Sequence, residues 1–249
     1  MSRLLVAENV SKTFGALRAV DDVSFSVDEG EVLGIAGPNG SGKSTLFNII
    51  TGIPFHPSSG QITFAGLRID RLAPHAISRS GIARTFQTET EFESLSVLDN
   101  ALIPIVAMNP SAGHSERVRI AEELLNFAGL EGDLQRPANE LSVFDRKLLM
   151  IATALALKPR ILLLDEPASG LSRPEVQKTG ELIGRINQTG VTILLIEHVI
   201  SLLLSVCGRL IVLNFGSLLA EGDPQAVVRD PRVVEAYMGS GAIDDGAAA

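Results

Sequence analysis

Apolar residues along this chain follow two rhythms, and the switch between them predicts most of its elements. Leu4-Leu5-Val6 and the alternating Val23-Ser24-Phe25-Ser26-Val27 predict strands, the second ending in an Asp28-Glu29-Gly30 turn. Val32-Leu33-Gly34-Ile35-Ala36 is continuously apolar, as a strand buried on both faces should be. Leu46, Phe47, Ile49 and Ile50 then take helical spacing, stopped by Gly52. Pro57-Ser58-Ser59-Gly60 predicts a turn into a strand from Gln61 to Ala65. Pro74 opens a short helix ended by Gly81, and a strand from Ile82 to Phe86 delivers Gln87.

From Thr88 the rhythm is helical. Ser96-Val97-Leu98-Asp99 forms a capping box, and Ser115 is placed as the cap of a helix with Ala121, Leu124, Leu125 and Ala128 on one face and Gly129 as its stop. Pro104, Pro110 and Gly113 are placed in the connection between these helices. The α/β rhythm resumes with a buried helix from Leu148 to Leu157, then Ile161-Leu162-Leu163-Leu164 running into Asp165-Glu166. Pro174 opens a helix reaching Gly190, and Val191 to Ile196 is a second buried strand, ending in Glu197-His198. A hairpin from Leu210 to Ala220 and helices opened near Pro224 and Pro231 follow; residues 240–249 are expected to fray.

Composition narrows the partners. A net charge of −8, from 29 acidic against 21 basic residues, argues against a general nucleic-acid surface, and 45% hydrophobic residues suffice for a globular core. Cys207 is alone, so no disulfide framework or cysteine metal site is expected, which fits a reducing cytoplasm. No secretory pattern stands at the N-terminus. The apolar runs 148–157 and 191–206 are too short or too interrupted to span a bilayer, so any membrane role is expected through a partner.

The chemistry centres on Gly37-Pro38-Asn39-Gly40-Ser41-Gly42-Lys43-Ser44-Thr45, which satisfies every fixed position of G-x-x-x-x-G-K-[ST] between a predicted strand and a predicted helix. Such a loop cradles phosphates with backbone N–H groups and a helix N-terminus; Lys43 would reach the β- and γ-phosphates and Ser44 would hold Mg²⁺. Two later strands end in acids and an imidazole at the same predicted sheet edge: Asp165, Glu166 and His198. A metal ligand, a base and a phosphate sensor at one edge are what phosphoryl transfer to water requires. Phe14, beside Gly15, suits either base stacking or core packing.

With these motifs in place the chain resembles the nucleotide-binding subunits of ABC transporters over about residues 4–239. The resemblance implies an α/β fold: a RecA-like P-loop ATPase core with an N-terminal antiparallel β layer (about 1–87 and 158–239) and an inserted helical subdomain (about 88–157). It implies that Phe14 stacks on adenine, that Gln87 of Arg84-Thr85-Phe86-Gln87 touches Mg²⁺ and answers to a membrane subunit, and that Asp165 binds Mg²⁺. Glu166 would be the general base and His198 the γ-phosphate contact, with ATP and Mg²⁺ as ligands. Within the family the chain is similar to LivG-type subunits of branched-chain amino-acid importers, through Val10-Ser11-Lys12-Thr13-Phe14-Gly15, Leu194-Leu195-Ile196-Glu197-His198 and Glu235-Ala236-Tyr237-Met238-Gly239. Subunits that import urea or amides or extract lipopolysaccharide share much of this. The implied partners are a second ATPase subunit and integral membrane permeases docking near Gln87 and the helical subdomain, at the inner face of the cytoplasmic membrane. A soluble regulatory or DNA-repair ATPase of the same superfamily is the alternative from another class, and a subunit that binds ATP without turnover is a third.

Two departures from the family pattern matter. Where the family carries Leu-Ser-Gly-Gly-Gln, this chain has Leu141-Ser142-Val143-Phe144-Asp145, keeping the serine but losing both glycines and the glutamine. In the family this segment crosses to the γ-phosphate of the other subunit; Phe144 removes the slim backbone approach, and Asp145 brings negative charge toward phosphate. Ser142-x-x-Asp145 still makes a sound capping box. The second departure is Ser172 at the end of Ser169-Gly170-Leu171-Ser172, where an aspartate is usual. Together they predict an asymmetric pair, in which Lys43, Asp165, Glu166 and His198 are completed by a partner's intact signature.

Overall fold

The two rhythms resolve into two sheets and a set of helices in the computed structural model, which describes residues 2–86 and 92–238. Gln87 and the tail 240–249 lie outside the described residues. Strands β1 (Arg3–Phe14) and β2 (Leu17–Asp28) form an antiparallel hairpin, followed by β3 (Val32–Ala36) and helix α1 (Lys43–Thr51). Next come β4 (Ser59–Phe64), β5 (Leu67–Arg68), α2 (Pro74–Arg79) and β6 (Ile82–Arg84). Helices α3 (Val97–Met108), α4 (His114–Ala128) and α5 (Val143–Leu155) pack on one another. The chain continues through β7 (Ile161–Asp165), α6 (Arg173–Gln188), β8 (Thr192–Ile196), α7 (Ile200–Val206), β9 (Arg209–Asn214), β10 (Ser217–Gly222), α8 (Pro224–Val227) and α9 (Pro231–Met238).

One sheet has the order β2-β1-β4-β5 and is antiparallel; the other runs β10-β9-β3-β8-β7-β6, with every pair parallel except β10-β9. This is the α/β fold expected, with an antiparallel N-terminal layer. Strands β3, β7 and β8 are buried at every position, as their unbroken apolar runs require. Because side chains alternate across a strand, Leu33, Leu163 and Leu194 enter one core while Leu162, Leu164 and Leu195 enter the other. The first core clamps α1 between the sheets: Leu46, Phe47, Ile49 and Ile50 are fully buried among Leu5, Val27 and Ile62 from the antiparallel layer. The helix that follows the phosphate loop is therefore anchored on both sides.

Register fixes where the strands stop. Ile35 pairs with Ile196, and Ile196 pairs with Asp165, so the segments leaving β3, β7 and β8 emerge at one edge.

Two local expectations are corrected. Pro104 lies inside α3 and not in a connection. Proline deletes one helical hydrogen bond, yet the helix continues because Ala101 and Ile105, on either side of it, are fully buried against the neighbouring helices. Ser115 does not cap α4; the cap is Gly113, with extended dihedrals, and the helix starts at His114. The connection is fastened instead by Arg117, whose Nε and guanidinium N–H donate to the Asn109 carbonyl at 3.2 Å and the Pro110 carbonyl at 2.7 Å.

Candidate nucleotide-binding site

The loop leaving β3 can be built only with glycine at two points. Gly37 has φ 146°, and a Cβ there would stand 2.2 Å from the Leu213 carbonyl oxygen; Gly42 has φ 103°, and its Cβ would stand 2.3 Å from that of Ala19. Gly42 is also the N-cap of α1 and offers no side chain to that helix, which leaves first-turn N–H groups available to an anion. Lys43 is buried, and its Nζ donates to the carbonyls of Gly37 at 2.7 Å and Pro38 at 2.9 Å. Among the described residues these bonds leave one of its three N–H groups for a ligand. Burial pulls its pKa below the usual lysine range, opposed by the charges of Glu166 and Asp165.

A cleft of about 590 Å³ runs over this loop, from Phe14 at one end to Glu166 at the other, with Lys43, Ser44, Thr45 and Phe215 along it. Phe14 is neither core nor a free surface ring. It is 43% exposed, meets Phe55 edge-on at 5.0 Å, and shares with it the Lys12 ammonium, 5.2 and 4.6 Å from the two ring centres. A braced aromatic at the cleft wall suits a planar base. Phe215, 87% exposed and strained at φ 46°, lines the cleft near the loop and had no sequence signal beyond its hydrophobicity.

At the polar end, one oxygen of Asp165 meets Arg84 at 2.7 Å in an ion pair whose side chains are 1% and 6% exposed. Arg84 also donates to Asn48 Oδ1 at 2.7 Å, with its guanidinium 5.4 Å from the ring centre of Phe47 and 5.1 Å from that of Phe86. The other oxygen, Asp165 Oδ1, is buried and has no hydrogen-bond partner among the described residues. Burial pushes the Asp165 carboxyl up, opposed by Arg84. An orphaned carboxylate oxygen suits a hard cation that prefers oxygen. Among the described residues no cluster of three His, Cys, Asp or Glu forms a metal site of its own.

Glu166 has φ 50°, a left-handed conformation costly for a side chain, and its Oε1 is 2.7 Å from His198 Nε2. Its N–H donates to the Ile196 carbonyl at 2.9 Å, and its own carbonyl accepts from Lys147 Nζ at 3.1 Å. Beneath this pair lies Glu197, 1% exposed, whose carboxylate accepts from the backbone N–H of Ala168 at 2.6 Å, His198 at 3.0 Å and Val199 at 3.3 Å. Burial pushes Glu197 up while the three N–H donors pull it back. It ties the turn after Glu166 to the segment carrying His198. Sequence reading named neither Arg84 nor Glu197 as a site residue, although each is a charge at the end of a buried strand.

The structure does not bring Ser142 to this cleft. Its hydroxyl accepts from the Asp145 N–H at 3.1 Å as the cap of α5, and Asp145 stands 3.6 Å from Arg136. Ser172 caps α6, its N–H and hydroxyl donating to Glu175 at 2.8 and 2.5 Å.

Comparison with known proteins follows the same division. A family model described as "ABC transporter" matches residues 20–169, and one described as "Branched-chain amino acid ATP-binding cassette transporter" matches 217–243. The chain is 35% identical to the high-affinity branched-chain amino acid transport ATP-binding protein BraF of Pseudomonas aeruginosa, covering 96% of this chain and 99% of that one. It is 36% identical to the probable branched-chain amino acid transport ATP-binding protein LivG of Methanocaldococcus jannaschii, covering 95% and 97%. Among solved structures, a nucleotide-free ATP-binding cassette from an ABC transporter superposes with a TM-score of 0.85 at 34% identity, over 95% of this chain and 99% of that one. The ADP conformation of an ATP-binding cassette superposes at 0.84 and 33%, over 96% and 100%. The glycine-only loop, the cleft and these matches lead to one conclusion: the chain belongs to the ABC transporter family, as one of its ATP-binding, ATP-hydrolysing subunits.

Proposed function

We propose that this subunit powers an importer for branched-chain or related amino acids, and that its ATP site is completed by a second, non-identical ATPase subunit. The observation that carries the reading is Glu166 held 2.7 Å from His198 at the end of the cleft that Lys43 and Phe14 line. Phe14 stacks on adenine; the loop Gly37-Pro38-Asn39-Gly40-Ser41-Gly42-Lys43-Ser44-Thr45 holds the phosphates, with Lys43 on the β- and γ-phosphates. Glu166 accepts a proton from the attacking water, whose oxygen bonds to the γ-phosphorus as the bridging oxygen leaves with ADP. His198 fixes Glu166 and reaches the γ-phosphate. Ser44, Asp165 and Gln87 would hold Mg²⁺, which would supply charge neutralisation for the transferring phosphate.

Residues 1–87 and 158–239 form the ATPase core in this reading, and 88–157 the helical subdomain that receives a membrane subunit. A groove of about 200 Å³ between α3 and α5, lined by Phe86, Phe92, Ile103, Pro104 and Met150 beside the Arg84 strand, supports docking of an apolar helix there. Among the described residues no helix is long and apolar enough to cross a membrane, so the subunit would sit on the inner face through permeases. The ATPase relatives named for branched-chain amino acid transport support the solute class. The asymmetric pairing rests on Leu141 to Asp145. Co-purification from its native host, followed by reconstitution with the membrane and solute-binding proteins captured, tests the reading: ATP-dependent leucine uptake is expected, and DNA-stimulated turnover without permease co-purification would overturn it.

A further inference from the structure

The chain has a single tyrosine, Tyr237, and no tryptophan. This residue stands in the last turn of α9, and its hydroxyl oxygen accepts a 2.7 Å hydrogen bond from the Gly37 N–H, 200 positions earlier. Gly37 opens the phosphate loop, and its carbonyl is one of the two that hold Lys43 Nζ. Its Cα lies against the Leu213 carbonyl at the end of β9. One peptide segment is thus gripped from three sides: by α9 at the N–H, by β9 at the Cα and by Lys43 at the carbonyl. Glycine has no side chain and few conformational limits, so a residue at φ 146° keeps one geometry only if its surroundings impose it.

We propose that Tyr237 is a positioning residue of the phosphate loop: by holding the Gly37 N–H it fixes the carbonyl that aims Lys43, so docking of the C-terminal helix sets ATP affinity. Two features support this beyond the bond itself. The phenol is pushed above the usual tyrosine range by burial, with the Gly37 N–H pulling the other way, so the hydroxyl is seated inside the fold against the loop. The segment that carries it, 217–243, is matched by its own family model outside the span of the ATPase one, and the bond gives that segment a task in the nucleotide site.

The proposal rests on the chain's binding ATP, and the test separates the two. Tyr237→Phe keeps the ring and removes the hydroxyl, and with it the acceptor for the Gly37 N–H. Calorimetric titration of the full chain with a non-hydrolysable ATP analogue and Mg²⁺ is expected to show about tenfold weaker binding in the variant, the scale of one unpaired buried N–H. A residue that merely anchored α9 would lower the unfolding temperature and leave analogue affinity unchanged. In the wild type, tyrosine fluorescence reports on Tyr237 alone and is expected to change on adding the analogue; in Lys43→Ala, which should not bind it, the signal should stay flat. Variant affinity within twofold of wild type, or a flat wild-type signal while calorimetry records binding, would overturn the proposal. A wild type that takes no analogue would overturn the ATP reading together with it.

Discussion

The cleft around Lys43 and the helix start at Ser142 are both expected to face a phosphate, yet they are built by different means. At the cleft, polar groups at the ends of three strands are tied together, with Arg84, Asp165 and Glu197 deeply buried: Arg84 to Asp165, Glu166 to His198, and Glu197 to three backbone N–H groups. At Ser142 the contacts are local, a cap three residues long and a partly exposed ion pair of Asp145 with Arg136. A site that must hold charge without reorganising needs the first construction. The second shapes a helix N-terminus and leaves any phosphate contact to whatever docks there. In the pairing proposed above, the difference teaches that this chain would build one half-site firmly and offer a weak complement to the other.

The largest effects should come from breaking the firm side. Replacing the base by Glu166→Gln should cost roughly 10²–10⁴ in turnover while ATP binding persists, measured as single-turnover hydrolysis beside equilibrium binding. Arg84→Ala leaves Asp165 buried without its ion-pair partner and should destabilise the fold by about 3–5 kcal/mol in urea unfolding. A loss under 1 kcal/mol would mean that the pair is not buried in solution.

On the other side the effects should be smaller. Ser142→Ala removes one helix cap and should cost about 1 kcal/mol of stability without altering ATP affinity in the chain alone. Cys207 belongs to neither region. Burial pushes its thiol up to about 12, so at pH 8 it should resist alkylation until the chain unfolds, as mass spectrometry of iodoacetamide adducts would record.

Much of the firm side was legible in the sequence because continuous apolar strands announce themselves. The runs of β3, β7 and β8 placed Gly37, Asp165, Glu166 and His198 at one edge from pattern alone. What stayed hidden were links between segments distant in sequence. Arg84 reads as a strand residue until β6 is laid beside β7, and Tyr237 as a helix residue until α9 reaches Gly37. Helix α7 stayed hidden as well, because it is one short segment that buries only Leu202 and Leu203, too few positions to show a helical face. Pro104 was misplaced for the converse reason, a local signal overridden by burial on either side of it.

The central claim, a complete half-site beside a poor signature, is tested most directly by the steady-state ATPase of the purified chain against the variant carrying Val143→Gly, Phe144→Gly and Asp145→Gln. The account predicts slow, non-cooperative hydrolysis by the chain alone and a rise of about tenfold or more in the rebuilt variant, in proportion to a restored preorganised donor. Cooperative hydrolysis by the unaltered chain at the rebuilt variant's rate would contradict it.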